Sequence, residues 1–257
     1  MISGIAAGIL LVLALLLWLV SVGIRNVSII DIFWGPGFAI VAWVIAAQRG
    51  LTLSGGQWLL LVLVSVWALR LGAYLAWRNL GKGEDYRYAA MRSRIGPRFW
   101  WVSLLSVFGL QGALIFVISL PVQAALLCAV PGALGPLGAL GLSLWSIGLA
   151  FEAIGDAQLA RFKADPASAG KVMDQGLWRF TRHPNYFGDF MIWWGLFGLS
   201  WSLGAPWWSV VSPLLMSYLL TRVSGVPMLE AAMTHRRVGY DEYVRRTSAF
   251  FPRRPKR

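Results

Sequence analysis

The chain has 257 residues, 58% of them hydrophobic and only 13% charged, with a mean hydropathy of +0.63. A water-soluble domain of this length needs far more polar surface, so that class is excluded. A net charge of +12 would suit nucleic acid, but the cations flank apolar segments and fill the tail without a nucleic-acid motif, so the expected anionic partners are membrane lipids and an anionic cofactor.

Apolar stretches of about twenty residues, the length that crosses a bilayer as a helix, recur along the chain. The first covers 3–23; it lacks a basic n-region and a small-residue cleavage site, so it reads as a retained helix. The second, 28–48, opens on "DIFWGPGF" with Asp31 just inside it. The third, 57–78, carries Arg70, Tyr74 and Trp77 at helical spacing. A basic loop follows, containing "GEDYRY" and Arg78, Lys82, Arg87, Arg92, Arg94 and Arg98, before a fourth span at 100–121. The connection "PGALGPLG" is uncharged. The fifth span, 135–156, ends on Glu152 and Asp156, and its following loop holds Arg161, Lys163, Lys171, Arg179 and Arg182. The last two spans, 189–205 and 207–223, join at "GAPWW", and the tail ends "FFPRRPKR". The expectation is an all-α polytopic membrane protein of seven helices forming one integral domain over 1–257. The three basic segments share the cytoplasmic face, which places the N-terminus outside and the C-terminus inside.

Fifteen Trp and twelve Pro suit headgroup-level anchors and helix ends. The lone cysteine, Cys128, excludes an internal disulfide, and with only His183 and His235 no metal site is expected.

The polar chemistry concentrates on "TRHPNYFGDF". Pro184 suits a first helical turn, with His183 and Asn185 at the boundary. The helix start, flanked by Arg179 and Arg182, then presents amides and a positive dipole end to an anion such as a pyrophosphate. The plainer alternative is a capped helix with snorkelling arginines. Asp189, one turn into a membrane helix, favours function because a carboxylate there is expensive. Glu152 and Asp156 stand four residues apart on one helix face, with Arg161 and Lys163 nearby. They suit either a ribose or amide contact beside phosphate-binding cations, or an internal ion-pair network. An Asp31–Arg70 pair that locks two helices competes likewise with a catalytic Asp31. The glycines of "GKGEDYRY" lack the strand–turn–helix setting of a Rossmann fingerprint.

"GLWRFTRHPNYFGDFMIWWG" (176–195), "RVSGVPMLEAAM" (222–233) and "GYDEYVRRTSAFFP" (239–252) resemble the steroid 5-alpha-reductase superfamily. "DIFWGPGF" and "GEDYRY" look like its bacterial branch. The resemblance implies a seven-helix enzyme of the bacterial inner membrane, with helices of 1–123 on the substrate side and NADPH held by 135–257 on the cytoplasmic side. The implied reaction is reduction of a carbon–carbon double bond conjugated to a ketone, in a steroid-like or other lipophilic substrate that enters from the bilayer. Asp156, Asn185 and Asp189 match the family's cofactor residues. His183, Tyr186, Arg182, Glu230 and Tyr243 come with the same motifs, and Lys163 and Lys171 fall where relatives carry arginines. Animal reductases place a Gln-Glu pair on the second helix and a Tyr on the third. Here Ile30-Asp31 and Trp67 stand near those places, leaving Tyr74, Tyr86 or Tyr88 as substitutes.

Hydride delivery to the β carbon of an enone builds negative charge on the ketone oxygen, which a neighbouring donor must neutralise. Asp31 is expected to be that electrostatic or proton-donating partner, with Tyr86 and Tyr74 next. Trp18, Trp34, Trp43 and Trp67 either line the substrate's route or simply pack. A membrane methyltransferase using S-adenosylmethionine shares an "RHPxYxG" element, a downstream Glu and paired tyrosines such as Tyr240 and Tyr243, so it stands as the alternative. A non-catalytic lipid-binding protein is the third reading.

Overall fold

The structure is a computed structural model and describes residues 3–223, 225, 226, 230 and 239–256. Every regular element among these residues is helical. Five helices are long and apolar enough to cross a membrane: Gly4–Ile24 (α1), Ile29–Gln48 (α2), Gly55–Asn79 (α3), the run Tyr86–Ile118, and Gly135–Ala164 (α8). The run Tyr86–Ile118 consists of α4 (Tyr86–Ile95), a 3-10 turn, α5 (Phe99–Ser103), a π turn over Leu104–Gly109 and α6 (Leu110–Ile118). After it come α7 (Leu120–Leu127), α9 (Pro184–Ser202), α10 (Val211–Tyr218) and α11 (Tyr240–Arg246). Leu11, Leu16 and Leu19 of α1 point outward and are exposed, an arrangement that hydrocarbon accepts and water penalises.

The chain divides into two compact units, Met1–Leu134 with Ser200–Ser209, and Gly135–Leu199 with Val210–Arg257. In the first, Ser3 caps α1 by accepting from the Ala6 N–H, and Arg25 stops the helix in a left-handed conformation at φ +53°. Ser54 and Gln57 form a reciprocal capping box at the start of α3. The Gln57 amide also donates to the Ala125 and Cys128 carbonyls, filling acceptors that the end of α7 leaves open. "GPG" in α2 is a packing seam. A Cβ on Gly35 would lie 2.8 Å from the Ala68 carbonyl oxygen, and one on Gly72 would lie 2.8 Å from the Pro36 ring. The backbones of α2 and α3 therefore meet without side chains between them, and Asp31 is fixed one turn before that contact.

In the second unit α8 and α9 run antiparallel along glycines spaced seven apart. A Cβ on Gly141 would sit 2.7 Å from the Gly195 carbonyl oxygen, and one on Gly148 would sit 2.6 Å from that of Gly188. Gly155 faces Pro184 and Asn185 at the end of the seam. This register sets the Glu152–Asp156 turn of α8 against the first turn of α9.

Several expected boundaries move. The fifth span continues to Ala164 because nothing breaks the helix before Asp165-Pro166, so Arg161 and Lys163 lie on its last turns and not in a loop. The 78–98 segment is not all loop either: Asp85 caps α4 by accepting from the Arg87 N–H, which makes Tyr86, Arg87 and Tyr88 helical. The sixth helix starts at Pro184, five residues earlier than the span of 189–205, since proline fits the first helical position. Its opening turn is polar. The stretch 207–223 is a 3-10 turn, the eight residues of α10, and a π turn.

Candidate functional site

In the first unit the two motifs "DIFWG" and "GEDYRY" come together. Asp31 sits in the first turn of α2, and α4 lies across it. The Tyr88 hydroxyl donates to Asp31 Oδ1 at 2.6 Å, and Arg87 Nη2 donates to Oδ2 at 2.6 Å. Gln111 of α6 donates to the Tyr88 oxygen at 3.2 Å and reaches Asp31 Oδ1 at 3.5 Å. Asp31 thus accepts from all three of these side chains.

Apolar residues surround Tyr88. Tyr88 packs in a cluster with Ala14, Val27, Ile30, Phe99, Val107 and Phe108. Outside the cluster, Glu84 accepts from the Val27 N–H and from Arg92 at 2.9 and 2.7 Å, and Ser28 Oγ accepts from the Asp85 N–H. Burial works to raise both carboxyl groups, but hydrogen bonds from Arg92 and Val27 to Glu84, and from Arg87 to Asp85, hold them below the usual carboxylate range.

Tyr86, two residues from Tyr88, is turned roughly 200° around the helix and is 46% exposed. Tyr74 lies between guanidinium groups, with Arg70 at 5.5 Å and Arg78 at 5.7 Å from its ring.

In the second unit Glu152 and Asp156 are both buried and both face α9. Glu152 packs on Gly188, beside the buried Asp189. Asp156 Oδ1 accepts from the Asn185 amide at 3.3 Å. That bond assigns the amide nitrogen and leaves Asn185 Oδ1 buried with no hydrogen-bond partner among the described residues. His183 is 3% exposed and meets Glu230 through Nε2 at 3.3 Å, while its buried Nδ1 has no hydrogen-bond partner among the described residues either. Burial depresses the His183 pKa against the pull of Glu230, favouring the neutral ring. With Nε2–H directed at Glu230, Nδ1 is left as an acceptor. The Tyr186 ring stacks on His183 at 5.6 Å.

Arg182 does not extend toward an anion. It is 8% exposed, with Nε on Glu230 at 2.8 Å and Nη1 on the Val244 and Thr247 carbonyls at 2.9 and 2.8 Å. Burial works to raise the Glu230 pKa, but His183 and Arg182 together hold it below the ordinary value. The tail completes the cover: Ser248 O accepts from the Arg182 N–H and Phe250 O from the Thr181 hydroxyl. Phe250 and Phe251 pack edge-on to Phe187 and Phe190. Arg182, expected to flank an open helix start, is thus taken up by Glu230 and the C-terminal segment. Tyr243 is likewise occupied, donating from a buried hydroxyl to the Trp178 carbonyl. Arg161, Lys163, Lys171 and Arg179 are exposed. His235 and most of the 222–233 motif lie outside the described residues.

Arg87 and Gln111 escaped the sequence reading as functional partners. The Asp85 cap three residues before Tyr88 was the available signal for helix α4, and hence for which tyrosine turns inward. Gln111 offered only the oddity of one amide in an apolar run.

The described residues define a helical integral membrane protein with a half-buried carboxylate–phenol pair in one unit and a largely buried His-Asn-carboxylate cluster in the other. The chain belongs to the family described as "Protein of unknown function (DUF1295)", whose model matches residues 17–247; this is a steroid 5-alpha-reductase-like group. It is 27% identical to the uncharacterized protein C594.04c of Schizosaccharomyces pombe over an alignment of 284 positions, covering 94% of this chain and 77% of that protein. No solved structure matches the chain.

Proposed function

We propose that the protein is a membrane-embedded, NADPH-dependent reductase of a carbon–carbon double bond conjugated to a ketone, acting on a lipophilic substrate. The observation that carries this reading is the 2.6 Å hydrogen bond to Asp31 from Tyr88, a phenol packed in an apolar cluster. A phenol held by a carboxylate, in surroundings that suit an apolar ligand, is the donor that enone reduction requires. Bound nicotinamide supplies a hydride. Tyr88 supplies the balancing proton toward the ketone side of the enone, so the C=C bond becomes CH–CH. The phenolate that remains is met by the Gln111 amide and by Arg87, whose guanidinium lies 5.3 Å from the Tyr88 ring. Asp31 orients the phenol throughout.

The residues of the second unit fit the cofactor's polar parts. The acceptors His183 Nδ1 and Asn185 Oδ1 have no hydrogen-bond donor, and ribose hydroxyls or a carboxamide are donors. Glu152, Asp156 and Asp189 have the wrong sign for phosphate and the right one for those same groups. Phosphates fall to Arg161, Lys163, Lys171 and Arg179, with arginine suited to a 2′-phosphate. In this reading α9 and the helical stretch 207–223 complete seven crossings, with the N-terminus outside and the cofactor residues on the cytoplasmic face of a bacterial inner membrane.

The test uses purified protein in detergent with NADPH and a 3-oxo-Δ4 steroid as probe, followed at the nicotinamide absorbance. Tyr88→Phe is expected to retain NADPH binding and lose turnover by about a hundredfold or more. Unchanged turnover would remove the pair from the mechanism. Binding of S-adenosylmethionine in place of NADPH would replace the reading with the methyltransferase.

A further inference from the structure

Where α1 ends and α5 begins, the first unit encloses a groove of about 560 Å³. Val22, Val27, Phe99 and Trp100 give it apolar walls, and Arg25 and Arg92 give it charge. Trp100 is held as a ledge: its ring stacks on Trp18 at 6.1 Å, and Trp18 Nε1 donates to the Trp100 carbonyl at 2.7 Å. The two guanidinium groups differ. Arg92 makes two hydrogen bonds to Glu84 through Nε and Nη2 and lies 4.6 Å from the Phe99 ring centre, which leaves Nη1 and the second N–H of Nη2 as donors not used by Glu84. Arg25 is exposed and has no carboxylate partner among the described residues. With Glu84 cancelling one charge, the groove keeps a single net positive charge.

We propose that this groove binds one anionic glycerophospholipid of the phosphatidylglycerol type. The phosphodiester lies on Arg25 and the free edge of Arg92, and an acyl chain runs along Val22 and Trp100. The groove's net charge matches one phosphodiester. A zwitterionic choline lipid would add a quaternary cation beside two guanidinium groups. Free phosphate would leave the Trp100 and Val22 walls uncovered. The position fits as well: residues 21–27 and 92–103 mark the ends of two apolar helices, the level at which headgroups lie and tryptophan settles.

The experiment is native mass spectrometry of the whole chain, delipidated in detergent and then offered phosphatidylglycerol or phosphatidylcholine. The wild type is expected to retain one phosphatidylglycerol in preference to phosphatidylcholine. Arg25→Gln is expected to lower that retention roughly fivefold, the effect of losing one interfacial cation, with an unchanged thermal midpoint. Arg94→Gln, an exposed cation of α4 outside the groove, is expected to leave retention as it was. Trp100→Ala is expected to weaken both lipids. Inorganic phosphate is expected not to displace the lipid. Equal retention of the two lipids, loss in Arg94→Gln equal to that in Arg25→Gln, full retention in Arg25→Gln, or displacement by phosphate would each overturn the assignment.

Discussion

The Asp31–Tyr88–Arg87 group can be dissected by a double-mutant cycle. Tyr88→Phe removes one hydrogen bond to a carboxylate, a loss of about 1.5–3 kcal/mol. Asp31→Asn keeps Oδ1 for Tyr88 but turns an amide N–H toward the donor Arg87 Nη2 and strips that cation of one of its two carboxylate partners, Asp85 remaining at 2.8 Å. A fully buried pair broken in this way costs about 3–5 kcal/mol. The Asp31 side chain is 14% exposed and that of Arg87 31%, so water tempers the loss to about 2–3 kcal/mol. The double variant should cost less than the sum by about 1–2 kcal/mol, because both changes act on the same bond, one removing its donor and the other the charge of its acceptor. Denaturant unfolding in mixed micelles measures stability, and NADPH oxidation with the steroid probe measures turnover in the same samples. Additivity within about 0.5 kcal/mol would refute the coupling and, with it, the oriented phenol.

Glu230→Gln leaves the buried Arg182 with carbonyl partners only, and unfolding should become easier by about 2–4 kcal/mol. Because its folded pKa lies below the ordinary 4.5, wild-type Glu230 contributes fully above that value and loses its contribution as pH falls through the folded pKa. The stability gap between wild type and Glu230→Gln should therefore narrow in acid. A gap that widens there would reverse the assigned direction. His183, whose pKa burial lowers from 6.5, adds an earlier loss: stability present above that value declines as the unfolded chain takes up the proton. Replacing His183 with Asn should flatten the pH–stability curve in that window. Gly148→Leu forces a side chain into space where its first carbon already meets the Gly188 carbonyl oxygen at 2.6 Å, and should cost about 3 kcal/mol or more. Gly8→Leu, which meets nothing within 4 Å, should leave the melting temperature unchanged. Tyr243→Phe should lower stability by about 1 kcal/mol without altering NADPH affinity, since the hydroxyl is bonded to the Trp178 carbonyl; a tenfold rise in Kd would make Tyr243 a cofactor contact.

Hydropathy alone revealed the membrane class and the five long helices, because an apolar run of bilayer length has few alternatives. Their ends were less legible. The continuation of α8 through Arg161 and Lys163 follows from the lack of a breaker before Pro166, a local signal that hydropathy ignores. The pairing of Glu152 and Asp156 on one face could be read from their spacing, and the glycines at 141, 148 and 155 explain why that face meets α9. Tertiary partners were beyond reach. Arg182 looks like a phosphate ligand in sequence, and only the tail's carbonyls and Glu230 turn it inward. The choice of Tyr88 over Tyr86 depended on the helical phase set by the Asp85 cap, and Gln111 stands 80 residues from Asp31.

The most direct test follows the transferred atom. NADPH carrying deuterium at the reactive nicotinamide carbon is incubated with the purified protein and a 3-oxo-Δ4 steroid, and the product is read by mass spectrometry. The account predicts a saturated ketone bearing one cofactor-derived deuterium, and loss of that product in Tyr88→Phe while NADPH still binds. A saturated product without label, label transfer undiminished in Tyr88→Phe, or a methylated product from S-adenosylmethionine would contradict it.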